Sequence, residues 1–149
     1  MTVANESVAT LPTSRIWLRG AIAAVVAAAL NTIVAALEVS AFSLSPAQLS
    51  MQAGPVIALT IVGILAGTGV FVMLRRRGPT GERLFVIIAV IVGALSLLLP
   101  VAMMVTPDAF PGGSVRGGAA LIPIHLIATS AAIAALTFRV RSTPGQQSS

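Results

Sequence analysis

The chain has 149 residues, of which 56% are hydrophobic and only 9% charged, with a mean hydropathy of +1.00. A soluble domain of this size needs a polar exterior that four acids and nine bases cannot supply. The net charge of +5 does not mark a nucleic-acid surface either, because the chain has no Tyr and one Trp to interleave with its arginines.

In chain order, residues 1–14 are polar and turn-rich and are expected to form a disordered tail. A membrane domain is expected over residues 15–141, built from four apolar runs at 20–37, 55–74, 84–104 and 119–138. Each run is about as long as a helix needs to cross a hydrocarbon core of roughly 30 Å. Residues 142–149 have the composition of a second disordered tail. The fold class that follows is all-α, an antiparallel four-helix transmembrane bundle with short loops.

Arginine placement orients it. Arg15 and Arg19 precede the first run, Arg75, Arg76, Arg77 and Arg83 lie between the second and third, and Arg139 and Arg141 follow the fourth. The connection at 38–54 has no base, and the one at 106–118 has only Arg116. Three segments therefore agree with strict alternation, which by the positive-inside rule puts both termini on the cytoplasmic side of a cell membrane. A cleaved signal peptide is the competing reading, since Val39-Ser40-Ala41 follows the first run. That run is longer than a usual signal core, and the retained four-span form is expected.

Every span carries a polar residue near one depth. Asn31 lies roughly 16 Å above the start of its run and Ser96 about 18 Å above its own, at 1.5 Å of rise per residue. Thr60 and His125 lie roughly 8–11 Å below the opposite surface. Helical spacing puts Asn31 with Ala24, Ala27, Ala28 and Ala35, Thr60 with Gly63 and Gly67, Ser96 with Ala89 and Gly93, and His125 with Ala128, Thr129 and Ala132. Small residues at this spacing let helix backbones approach closely, so the layer is expected to face the bundle interior. Gly63 and Gly67 form a GxxxG pair expected at a close helix–helix contact.

His125 is the only histidine and the only titratable side chain deep in a span. An ionisable residue at that depth is a functional hypothesis by default, such as a proton relay. The plainer reading is a neutral imidazole bonded to Asn31 or Ser96 as interhelical glue. Pro100 leaves the Ser96 carbonyl without its helical donor, so a kink is expected there. Pro123 is expected to do less, close to the start of its span. Glu38, at the outer end of the first span, is expected to be solvated.

Cysteine is absent, which removes disulfides, thiolate metal sites and a cysteine nucleophile. There is no HExxH, no nucleotide-binding loop, no GxSxG and no pair of intramembrane carboxylates. No enzyme activity, cofactor or metal is expected, and no catalytic residue is assigned. The partners expected are the lipid bilayer, a second copy of the chain or other membrane proteins, and no nucleic acid. The leading function is a non-enzymatic accessory or structural membrane subunit. The alternative is a small-molecule or proton-coupled carrier, working as a homo-oligomer through the layer around His125, because four spans are few for a carrier.

The run Arg75-Arg76-Arg77-Gly78-Pro79, then Arg83, Phe85, Ala94-Leu95-Ser96-Leu97, Pro100 and Leu121 to His125, resembles an uncharacterised family of small four-span bacterial membrane proteins, domain of unknown function 6069. Members are similar in the Asn of span one, the basic loop, the Leu-Ser-Leu then Pro of span three and the His of span four. Here those positions are Asn31, Arg75 to Arg77, Leu95 to Leu97, Pro100 and His125, and the likeness covers residues 15–141. It implies an integral protein of the bacterial inner membrane and no particular activity.

Because the chain has no native thiol, topology is open to single-cysteine labelling. A cysteine at Arg76 should be protected from an impermeant maleimide in intact cells, and one at Asp108 should react. The reverse pattern would overturn the orientation.

Overall fold

The computed structural model describes residues 12–44 and 51–137. Phe138, Arg139, Arg141 and all of the two expected tails except residues 12–14 lie outside these. Within them the fold is all-α: α1 (Thr13–Phe42), α2 (Ala53–Leu74), α3 (Pro79–Ser96), α4 (Leu98–Val105) and α5 (Val115–Thr137). The α3 and α4 segments form one column, so four columns are long and apolar enough to cross a membrane. They make the antiparallel bundle that the apolar runs foretell.

The helices overshoot the runs. α1 begins at Thr13 and takes in Arg15 and Arg19, and α5 begins at Val115 and takes in Arg116. Arginine is a good helix former, and its long side chain reaches the headgroup level while its backbone stays helical. Hydropathy marks where the chain enters lipid, and helical hydrogen bonding continues beyond that point.

Two kinds of turn reverse the chain. After α1, Ser43 adopts a left-handed conformation at φ 50°, and the Leu44 N–H donates back to the Val39 carbonyl at 3.1 Å. On the arginine-rich side, Arg75 to Arg77 extend α2 by one 3-10 turn, and Gly78 at φ 62°, ψ −144° takes a conformation that side chains disfavour. Pro79 then opens α3 with its φ already set. A Cβ on Gly81 would strike the Leu74 carbonyl, so only glycine lets α3 start against the end of α2. Arg75 Nη2 donates to Thr13 Oγ1 at 3.0 Å, tying this loop to the first turn of α1.

The core has three levels. At the arginine-rich end, Ile16, Phe71, Phe85 and Leu136 pack together, with the Phe71 and Phe85 rings edge to face at 5.0 Å. The middle is formed by Ala24, Ala27 and Ile64. At the far end Ala35, Leu44, Val56, Met103, Leu121 and Ile124 close the bundle. α1 packs chiefly on α2 and α5, while the α3–α4 column is the most peripheral and turns Ile87, Val90, Ile91, Leu95 and Leu98 outward. With no hydrophobic drive between helices in lipid, outward isoleucine and leucine are the expected covering.

Both prolines act locally. The helix breaks at Leu97, whose N–H bonds the Ala94 carbonyl at 3.1 Å in a tightened turn. This matches the expected kink, since Pro100 offers no N–H to Ser96. Pro123 departs from expectation by lying inside α5, well past its first turn. The helix starts earlier than the apolar run, with the Ser114 hydroxyl accepting from the Gly117 N–H at 2.9 Å.

Candidate functional site

Of the four polar residues expected in one layer, the structure joins two. Asn31 Nδ2 donates to Thr60 Oγ1 at 3.0 Å, with Asn31 0% and Thr60 6% exposed. The stripe that puts Asn31 inside is the one its spacing indicates, since Ala24, Ala27, Ala28 and Ala35 are all buried with it. An amide in this environment needs a partner, and the neighbouring helix supplies one. The other amide atom, Asn31 Oδ1, is buried and accepts no hydrogen bond among the described residues.

Ser96 and His125 are placed differently. The Ser96 hydroxyl donates to the Gly93 carbonyl of its own helix at 2.7 Å, so it bonds locally and not across the bundle. His125 is half-buried, and its side chain makes no hydrogen bond among the described residues. Direct bonding of His125 to Asn31 or Ser96 is therefore not what the fold uses; Thr60 holds Asn31 instead. The position of His125 follows from two close contacts on either side of it. A Cβ on Gly93 would lie 2.7 Å from Thr129 Cγ2, and one on Gly118 would lie 2.7 Å from the Pro100 carbonyl oxygen. Between these contacts α5 and the α3–α4 column run antiparallel, so His125, one turn from Thr129, is level with Ser96 and Leu97. The only histidine is thus level with the helix break.

Gly63 and Gly67 do not pack inside the described bundle. A Cβ on either would meet nothing within 4 Å, so neither makes a close contact among the described residues. The buried stripe of α2 is Val56, Thr60, Ile64, Thr68 and Phe71, centred so that the two glycines fall to its side. Thr60 therefore shares its face with Ile64 and Thr68. Small-residue spacing within α2 does not mark this contact, because here the small residues belong to the opposite helix. Gly20 of α1 is one of these: Thr68, fully buried and bonded to the Ile64 carbonyl at 2.8 Å, fills the space a side chain there would need. Extending the Ala24–Ala27–Asn31 stripe one turn back would have found Gly20.

Glu38 also departs from expectation. It is partly buried on the same side of α1 as Asn31, and its Oε2 is shielded and unpaired among the described residues. No group of three or more His, Cys, Asp or Glu side chains that could hold a metal ion occurs among the described residues.

The Asn31–Thr60 bond should register in a double-mutant cycle. Asn31→Ala and Thr60→Val, followed by reversible unfolding in mild detergent, should show a coupling energy of about 0.5–2 kcal/mol. Asn31→Ala and His125→Asn should instead add independently. Strong coupling of the second pair and none of the first would contradict this arrangement.

The family model described as "Family of unknown function (DUF6069)" matches residues 11–142, nearly the whole chain, and the chain belongs to that family. No curated protein and no solved structure matches it.

Proposed function

We propose that this member of the DUF6069 family is a non-enzymatic membrane subunit that holds another transmembrane helix against the Gly63–Gly67 face of α2. The observation carrying this reading is the contrast among its span glycines. Gly20, Gly93 and Gly118 each lie where a Cβ would collide with a neighbouring helix, whereas Gly63 and Gly67 face open space. In lipid, two glycines one turn apart form a shallow groove that a neighbouring backbone enters closely, and no segment described within the chain does so. The occupant is a second copy of the chain or a helix of another membrane protein.

The intramembrane hydroxyls support a structural role as well. Thr32, Thr68, Ser96 and Thr137 each donate to a carbonyl of their own helix, and Asn31 and Thr60 bond each other. The first four are satisfied within their own helices, and only the Asn31–Thr60 bond joins two helices.

A second reading, a proton-coupled or small-molecule carrier acting as a homo-oligomer, is favoured by a separate observation. Asn31 Oδ1 is buried without a donor among the described residues, and His125 lies on α5 level with the break between α3 and α4. Buried unpaired acceptors and broken helices are features of membrane binding sites.

Replacing Gly63 and Gly67 together by Leu distinguishes them. The side chains have room within the monomer, so thermal stability of the isolated chain should change by less than about 1 kcal/mol. Self-association or co-purification of a partner in mild detergent should be lost. Unchanged association would refute the subunit reading. Proton flux into vesicles that His125→Asn abolishes, with the protein still folded, would establish the carrier, because an amide does not titrate near neutrality.

A further inference from the structure

Two buried side-chain oxygens have no hydrogen-bond partner among the described residues, Asn31 Oδ1 and Glu38 Oε2. Both belong to α1, and their separation in sequence falls only about 20° short of two full helical turns, so they share one face. Ala35 is buried between them, and its single methyl group takes up little of the space. Asn31 is fully buried, with Thr60 holding the other end of its amide. Both orphan atoms are acceptors, so neither satisfies the other unless a hydrogen is placed between them. We propose that Glu38 and Asn31 form a proton-binding site, in which the Glu38 carboxyl carries the proton and a short file of water links it to Asn31 Oδ1.

Charge and distance support that occupant. A carboxylate with an oxygen sealed by protein requires a cation, a donor or a proton. α2 and α4 contain no titratable side chain, and α3 has Glu82 and Arg83 only in its first turns, at the opposite end of the bundle. α5 brings Arg116 and His125, and Asp108 lies in the connection before it; none of these bonds Glu38 Oε2. A proton neutralises the carboxyl and turns one of its oxygens into a donor. Seven residues rise about 10 Å, and a helical glutamate leans toward the N-terminus, which here means toward Asn31. The gap that remains is of the order of one or two water molecules. The Glu38 O–H donates to water, and water donates to Asn31 Oδ1. Glu38 as a whole is only partly buried, which leaves the proton a route from the surface opposite the arginine-rich loop. The site requires neither an occupant of the Gly63–Gly67 face nor transport.

The test is infrared spectroscopy of the full chain reconstituted in phosphatidylcholine vesicles at neutral pH. A protonated carboxyl absorbs above the amide I band, well apart from carboxylates. Wild type should show such a band, and Glu38→Gln should remove it. Asn31→Ala should shift it to higher frequency, because the water that tied the carboxyl to the amide loses its anchor. Thr60→Val, which breaks the bond at the other end of the amide and keeps Oδ1, should leave the band where it is. Absence of the band from wild type, or its survival in Glu38→Gln, would overturn the proton. An unshifted band in Asn31→Ala, or an equal shift in Thr60→Val, would overturn the link to Asn31. Should Asn31→Ala fail to fold, Asn31→Leu takes its place, filling a similar volume without a polar atom, with the same shift expected.

Discussion

Close approach of α1 and α2 is the constraint on which the rest of the bundle depends. Lipid tails solvate leucine as well as protein does, so helices in a membrane are held by contact and by hydrogen bonds more than by escape from solvent. α1 meets this requirement with an inward stripe containing almost no bulk: Gly20, Ala24, Ala27, Ala28 and Ala35. α2 answers with larger residues, Thr60, Ile64, Thr68 and Phe71, that fit over it. The Asn31–Thr60 bond lies within this seam, where a small misfit would leave both atoms of a buried amide, and not one, without a partner among the described residues. Packing and polarity thus reinforce each other.

Once that seam is formed, the other elements take positions by the same rule of small against large. α5 approaches the α3–α4 column through Gly93 and Gly118, and α3 begins against α2 through Gly81. A polar side chain inside the bundle either bonds its own helix, as Ser96 and Thr68 do, or finds the neighbour, as Asn31 does. Among the described residues the His125 side chain does neither. It lies level with the break that Pro100 causes, which is the one place in the column where helical hydrogen bonding is interrupted.

Much of this was legible in the residues. Four spans follow from apolar length, because no other structure satisfies backbone groups in hydrocarbon along so many consecutive apolar residues. The inward face of α1 followed from alanine spacing around Asn31, and the break near Ser96 from the missing N–H of Pro100. The inward face of α2 was not legible. That helix is apolar almost all round, so its pattern has no direction, and glycine spacing pointed to the wrong side. The start of α5 was also hidden, because helical hydrogen bonding extends past the point where hydropathy falls.

The sequence by itself determined the environment, the number of spans and the all-α fold, since these depend on composition and length, which are properties of single segments. Only the tertiary structure decided which polar residues meet, that Gly63 and Gly67 face outward, and that Asn31 and Glu38 each keep a buried oxygen without a partner among the described residues. Those outcomes depend on how far each helix is rotated about its axis. In lipid that rotation is selected by the shape of the neighbouring helix, and one helix's sequence does not contain its neighbour's shape.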